Sequence, residues 1–141
     1  MEQVLKGHAV VPGEARGRVV LSHEPLSFWG GLNPETGEII DRRHDRSGEI
    51  VTDKVFVFPT GKGSSTGSAV LMESVRARTA PAAIVNVTAD PILALGAIVA
   101  DELYGEVVPI VTISQEDFDA VQDGDELTLD RSGTISLKRL G

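Results

Sequence analysis

The chain has 141 residues, with 13 Lys plus Arg against 21 Asp plus Glu, a formal net charge of −8. Hydrophobic residues make up 41% and charged residues 24%, ordinary for a folded domain, so wholesale disorder is excluded. The acidic balance argues against a nucleic-acid backbone as partner. The absence of Cys excludes disulfides, a Cys nucleophile and any iron–sulfur or zinc-thiolate site built from this chain alone.

The length suits one domain over residues 1–141. No apolar run approaches the roughly 18 residues that span a bilayer. The start, Met1-Glu2-Gln3-Val4-Leu5-Lys6, lacks the basic and apolar segments of a signal peptide. A cytoplasmic protein with no membrane partner is expected.

In chain order, residues 4–11 alternate weakly and read as a strand ended by Pro12-Gly13. Arg18-Val19-Val20-Leu21 reads as a second. Residues 25–48 read as a long irregular stretch with a strong turn at Asn33-Pro34-Glu35-Thr36-Gly37. Irregular segments of that length in a small domain are uncommon and often functional. Val55-Phe56-Val57-Phe58, closed by Pro59, has the pattern of a strand buried on both faces. A helix is expected over about 66–78, and a buried strand over 83–87. Asp90-Pro91 is a well-formed helix start, with Asp as cap and Pro where no N–H is needed. Ile92, Leu95, Val99 and Leu103 form the apolar stripe of that helix, and Gly105 stops it. Residues 107–113 read as a third buried strand. Ser114 and Asp117 resemble a capping box for a short helix ending near Gln122. Residues 126–130 and 134–138 form a hairpin around Ser132-Gly133. The class is α/β: β-rich first, then strand–helix–strand–helix–strand with parallel strands, then a hairpin.

The sharpest motif is Gly61-Lys62-Gly63-Ser64-Ser65-Thr66-Gly67-Ser68, between a buried strand and a helix. Ligands collect at this end of the strands in α/β sheets. Glycines allow close backbone approach, the helix start offers N–H donors and partial positive charge, and Lys62 adds a full charge. An anion or oxyanion site is one reading. A plain glycine-rich turn capped by Ser65 or Thr66 is the other. A phosphate-binding P-loop fails, because Phe56 and Gly63 stand where Gly and Ser or Thr are required. A dinucleotide fingerprint fails, because Gly61, Gly63 and Gly67 are spaced one residue too long.

None of His8, His23 and His44 has a metal-ligand neighbour at i+3 or i+4, so no metal site is readable. His44, in Asp41-Arg42-Arg43-His44-Asp45-Arg46, reads first as part of a solvated charged loop and second as part of a cationic rim for an anionic substrate. Trp29 is one of six aromatics and anchors its loop either to the core or to a partner. Glu14, Glu24 and Asp90 are possible acids or bases, though capping accounts for Asp90. No Ser-His-Asp triad through Ser64 can be argued.

Three motifs in order resemble the small subunit of the aconitase X family, the aconitase-like swivelling domain. They are Pro25-Leu26-Ser27-Phe28-Trp29-Gly30-Gly31, the segment from Gly61 to Ser68, and Asp90-Pro91-Ile92-Leu93-Ala94-Leu95-Gly96-Ala97. The resemblance covers nearly the whole chain and implies a swivelling β/β/α domain. It implies a hydro-lyase active only as a heterodimer with a large subunit, whose cysteines hold a [4Fe–4S] cluster that binds the leaving hydroxyl. This chain would hold no cofactor and would supply Ser64 as proton acceptor. Lys62, Gly63, Ser65 and Thr66 would lie around a small anionic substrate. Archaeal two-chain members act on (R)-5-phosphomevalonate in isoprenoid synthesis, giving trans-anhydromevalonate 5-phosphate, and bacterial relatives on cis-3-hydroxy-L-proline. The sequence departs from the aconitase Gly-Ser-Ser-Arg turn at Thr66, where the arginine would stand, so carboxylate binding must be arranged differently. It departs again at Asp45, where relatives often have Pro, which weakens any carried-over role for His44. Two other classes fit parts of the chain. A mobile phosphocarrier domain shares the final hairpin but needs a His near residues 61–68, and none is there. A non-catalytic anion-binding module would need only the glycine-rich turn.

Overall fold

The computed structural model describes residues 2–62 and 66–140. The first strand reading splits in two, β1 (Glu2–Lys6) and β2 (His8–Val11). Its halves take different partners: β1 pairs antiparallel with β10 (Thr134–Lys138), and β2 with β8 (Ile110–Thr112). β3 (Ala15–Leu21) bridges the two regions, antiparallel to β9 (Glu126–Leu129) through its first half and parallel to β6 (Val55–Val57) through its second.

The stretch over residues 25–48 is less irregular than its composition suggests. It holds a single kinked turn, α1 (Phe28–Gly31), and a small hairpin of β4 (Leu32–Asn33) and β5 (Glu38–Ile39). The predicted turn closes that hairpin, with Gly37 N–H on Asn33 O at 2.8 Å and Glu35 N–H on Asn33 Oδ1 at 2.9 Å.

Beyond β6 the chain runs α2 (Thr66–Arg76), β7 (Ala83–Asn86), α3 (Pro91–Tyr104), β8, α4 (Gln115–Ala120), then the β9–β10 hairpin. β6, β7 and β8 are parallel neighbours, as the alternation of strands and helices requires. The eight main strands lie in the order β1-β10-β9-β3-β6-β7-β8-β2. Its two ends are consecutive in the chain, joined at Gly7, so the sheet curls toward closure.

Two apolar clusters follow from the strand alternation. Val19, Val55, Val57, Val85, Val111, Leu127, Ile135 and their neighbours fill the inside of the curled sheet, with Phe118 of α4 among them. Val20, Phe56, Phe58 and Ile84 face the other way, against Leu71 and Val75 of α2 and Leu93, Ala97 and Ala100 of α3. β6 is therefore buried on both faces, as its continuous apolar run predicts.

Several boundaries move for local reasons. α2 ends at Arg76 because the backbone turns left-handed at Arg78 (φ 64°), where Thr79 N–H reaches Ser74 O at 2.8 Å. β8 starts only at Ile110, after Pro109, which has no N–H to give a ladder. Both ends of α3 are as predicted: the Asp90 carboxylate accepts from Ile92 N–H at 2.9 Å, and Gly105 is left-handed (φ 67°). Ser114 caps α4 through Asp117 N–H at 3.1 Å.

The stripe on α3 is a correction. Leu95 and Leu103 are exposed and Ile92 and Val99 only half-buried, whereas Leu93, Gly96, Ala97 and Ala100 face inward. α3 packs closely on α2, and a Cβ on Gly96 would lie 2.9 Å from Ser68 O. The small residues Gly96, Ala97 and Ala100 fit that contact, so Leu95 and Leu103 turn outward.

Candidate active-site edge

The C-terminal ends of β6 and β7 form the edge at which the glycine-rich motif sits. Phe58 stacks on Phe56 (centroids 4.2 Å apart) and on Phe28 of α1 (6.2 Å). After Phe58 the chain passes Pro59, Thr60 and Gly61 to Lys62, and α2 begins at Thr66. Gly63, Ser64 and Ser65, which carry the expected proton acceptor and two of the expected binding residues, lie outside the described residues. Lys62 is exposed, with its backbone N–H on Leu26 O at 3.1 Å. Thr66 opens the first turn of α2 and is exposed. The eleven residues of α2 bring the positive end of a helix dipole to this edge.

Two segments flank the turn. On one side, residues 26 and 61 form a parallel bridge, with Leu26 N–H on Thr60 O at 3.3 Å. Phe28 then plunges into the core, and Trp29 stays 60% exposed. On the other side Asp90 stands against Gly61, where a Cβ would overlap its Oδ2. Asp90 is thereby a packing and capping residue. Val87 and Thr88 N–H both donate to Pro59 O, at 2.9 and 3.1 Å, tying the strand ends together.

Asn86 was not singled out from the sequence. It ends β7 with no exposed surface, and its Nδ2 donates to Phe58 O at 3.0 Å while Oδ1 has no partner among the described residues. A lone polar residue ending an apolar strand run was the available signal.

His44 is not in a solvated loop. It is 6% exposed, and its Nε2 lies 3.1 Å from Ser22 Oγ and 3.3 Å from Glu24 O. Arg46 N–H donates to Nδ1 at 3.1 Å, a shorter contact than the 3.3 Å approach of Asp45 Oδ1 to the same nitrogen. That assigns the ring proton to Nε2. The Ser22 hydroxyl donates to Asp45 Oδ1 at 2.6 Å, and His23 N–H to Oδ2 at 3.0 Å. Ser22, His44 and Asp45 are thus wired as a loop lock: the imidazole faces the serine with a proton of its own and cannot take one from it. Burial works against ionisation of Asp45, but the bonds from Ser22 and His23 and the nearby imidazoles outweigh it, holding its carboxyl below the usual range.

Among the described residues no group of three His, Asp or Glu side chains is placed to hold a metal ion. With no Cys in the chain, its own side chains do not fit an iron–sulfur cluster. A cavity of about 370 Å³ lined by Asp53, Arg78, Pro81 and Glu106 lies at the opposite, N-terminal ends of β6 to β8, away from the turn.

Fold and site define an α/β domain that presents a glycine-rich segment, flanked by an aromatic loop and a capped helix, at the ends of its parallel strands. A family model for the aconitase X swivel domain matches residues 4–137. The chain belongs to that family. It is 37% identical over 138 residues to the phosphomevalonate dehydratase small subunit of Methanosarcina mazei, covering 96% of this chain and 92% of that one. It is 38% identical over 136 residues to the cis-3-hydroxy-L-proline dehydratase of Hypocrea jecorina, covering 96% of this chain but 23% of that one. The crystal structure of Thermococcus kodakaraensis aconitase X (holo-form) superposes with a TM-score of 0.87 at 37% identity, over 97% of this chain and 99% of that one. The chain thus spans nearly the full length of the small-subunit relative and less than a quarter of the hydroxyproline dehydratase.

Proposed function

We propose that this chain is the small subunit of an aconitase X-type dehydratase, acting on (R)-5-phosphomevalonate, with Ser64 as proton acceptor. The supporting observation is the aconitase X swivel-domain match over residues 4–137, together with 37% identity to a phosphomevalonate dehydratase small subunit over 96% of this chain. In this reading a larger chain completes the enzyme and holds the [4Fe–4S] cluster, for which this chain has no cysteine.

The chain's own contribution is a base and its surroundings. A serine hydroxyl removes a proton only where its alkoxide is stabilised. Two features beside Ser64 in the chain would serve that purpose: the positive end of α2, and the charge of Lys62. Dehydration needs a proton taken from the carbon next to the substrate carboxylate, and Ser64 would receive it. The phosphate and carboxylate bring a negative substrate to an edge with a lysine and a helix start, which suits both groups.

The test is reconstitution. The chain is co-expressed without oxygen with the larger chain from the same source, and the complex is given (R)-5-phosphomevalonate or cis-3-hydroxy-L-proline. Turnover of the phosphorylated acid, lost in Ser64→Ala with the complex intact, supports the reading. Turnover of hydroxyproline alone replaces the substrate. Full turnover by Ser64→Ala removes Ser64 as the base. Phosphohistidine at His8, His23 or His44 would point instead to the phosphocarrier class.

A further inference from the structure

Among the described residues only Asp53 (φ 60°) and Arg78 (φ 64°) hold a positive φ without being glycine. Both line the cavity at the N-terminal ends of β6 to β8. Glycine takes that backbone freely, whereas a side chain there is strained. Asp53 is the third residue of a turn closed by Lys54 N–H on Val51 O at 3.0 Å, a position that favours Gly or Asn when φ is positive. Arg78 ends α2, with its own N–H on Val75 O at 3.1 Å and Thr79 N–H on Ser74 O at 2.8 Å, a position usually held by Gly. Two charged side chains are thus kept on one cavity against the preference of the backbone beneath them.

The cavity measures about 370 Å³, within the range of small-molecule sites. It lies among the three connections that enter β6, β7 and β8. Backbone bonds fix two of them to each other, Asp53 N–H on Ala80 O at 3.1 Å and Ala82 N–H on Lys54 O at 2.8 Å. The buried part of its lining is apolar, with Val75, Pro81 and Val108. Asp53, Arg78 and Glu106 line it with exposed side chains. Among the described residues none of these three has an ion pair or a side-chain hydrogen bond. Neighbouring charges are engaged elsewhere: Arg76 pairs with Glu73, and Lys54 lines another cleft with Arg18 and Arg46.

We propose that this cavity binds a free α-amino acid with a small aliphatic side chain. Its carboxylate meets Arg78, its ammonium meets Asp53 and Glu106, and its side chain lies on Val75, Pro81 and Val108. A simple anion would face two carboxylates for one guanidinium. A simple cation would leave Arg78 unanswered. A zwitterion meets complementary charge at both ends, and the apolar lining accepts its aliphatic part. The site uses no residue of the glycine-rich segment, so it stands whichever substrate the dehydratase reading takes.

The full chain, labelled with ¹⁵N, is titrated with L-valine at millimolar concentrations and followed by ¹H–¹⁵N NMR. The amides of Asp53, Ala80, Ala82 and Val107 should shift together and saturate. Isovalerate is valine without its ammonium and isobutylamine is valine without its carboxylate. Each should bind at least about tenfold more weakly, the loss of one charge-assisted hydrogen bond. Arg78→Gln and Asp53→Asn should each weaken L-valine binding by a similar factor, and Asn suits the positive φ at 53. Arg76→Gln, outside the cavity, should leave it unchanged. No saturable shift at these amides with L-valine overturns the proposal. Equal affinity for either analogue also overturns it, since one charge would then suffice. An equal loss in Arg76→Gln overturns it as well, by showing a general effect of charge. Should Arg78→Gln fold poorly, the two analogues decide the question on the unaltered chain.

Discussion

Gly61 is held at its position by a residue 29 places further along, and the coupling can be measured. A Cβ there would overlap Asp90 Oδ2, lie 3.0 Å from its Cγ and 3.1 Å from Leu93 Cδ1. Asp90 cannot yield freely, because its other oxygen accepts Ile92 N–H and starts α3. Gly61→Ala should therefore cost the cap, about 1 kcal/mol, and an overpacking penalty of about 1–3 kcal/mol. A domain of this size loses about 3–4 °C of Tm per kcal/mol, so the fall should be roughly 6–16 °C. Asp90→Ala alone should cost only the cap, again about 1 kcal/mol. In the Asp90→Ala background, of the three nearest atoms Leu93 Cδ1 remains, the mobile end of a side chain, and the same glycine substitution should cost under about 1 kcal/mol. Denaturant unfolding of the four proteins gives the coupling energy, expected at about 1–3 kcal/mol. Additivity within about 0.5 kcal/mol would show that the carboxylate does not exclude a side chain at 61, and would refute the packing argument.

Three further outcomes are expected. Gly96→Ala should destabilise by about 1–3 kcal/mol in thermal melts, since its Cβ would press on the Ser68 backbone of α2, and a neutral result would mean that α2 and α3 separate easily. Asn86→Ala should cost about 1–3 kcal/mol by leaving Phe58 O without its donor, and a change within about 0.5 kcal/mol would show that the bond is dispensable. Asp45→Asn keeps the shape of the acceptor but removes its charge. Because folding lowers the Asp45 pKa, its stabilisation is present above the ordinary carboxylate range and disappears as pH falls through the folded value. The native chain should therefore be the more stable at pH 7, with the gap closing below about pH 4. Denaturant midpoints at both pH values check this, and an equal gap at each refutes it.

What was legible in the sequence is what local chemistry decides. The Asp90 cap, the Gly105 stop, the Ser114 cap and the turn over residues 33–37 are as read, because each depends on atoms a few residues apart. β6 was recognisable because burial on both faces leaves an unbroken apolar run. The face of α3 was misread because apolar periodicity alone cannot say which stripe packs. The choice was made by α2, whose close approach admits Gly96 and Ala97 but not Leu95. His44 was misread for the opposite reason: charged neighbours suggest water, yet Ser22, twenty-two residues earlier, and Asp45 satisfy the ring and allow it to be buried. The split of β1 from β2 was equally hidden, since each half takes a partner more than 90 residues away.

The three motifs that carried the family resemblance are far apart in the chain, and the structure gives a physical reason for their co-occurrence. All three meet at Gly61. The loop of Leu26 to Gly31 bridges to it through backbone hydrogen bonds on one side. The Asp90 carboxylate closes on it from the other. The glycine is therefore the point where strand β6 is handed to the turn with two neighbours already fixed. A side chain there would push on the start of α3, at Asp90 and Leu93. If Ser64 is the base, its reach is set at this junction. Gly61→Ala should then lower dehydratase turnover in the assembled complex even at temperatures far below its Tm, while Gly96→Ala, which strains the helices further along, should lower stability more than turnover. Equal losses of turnover at matched stability would mean that the junction positions nothing beyond the fold itself.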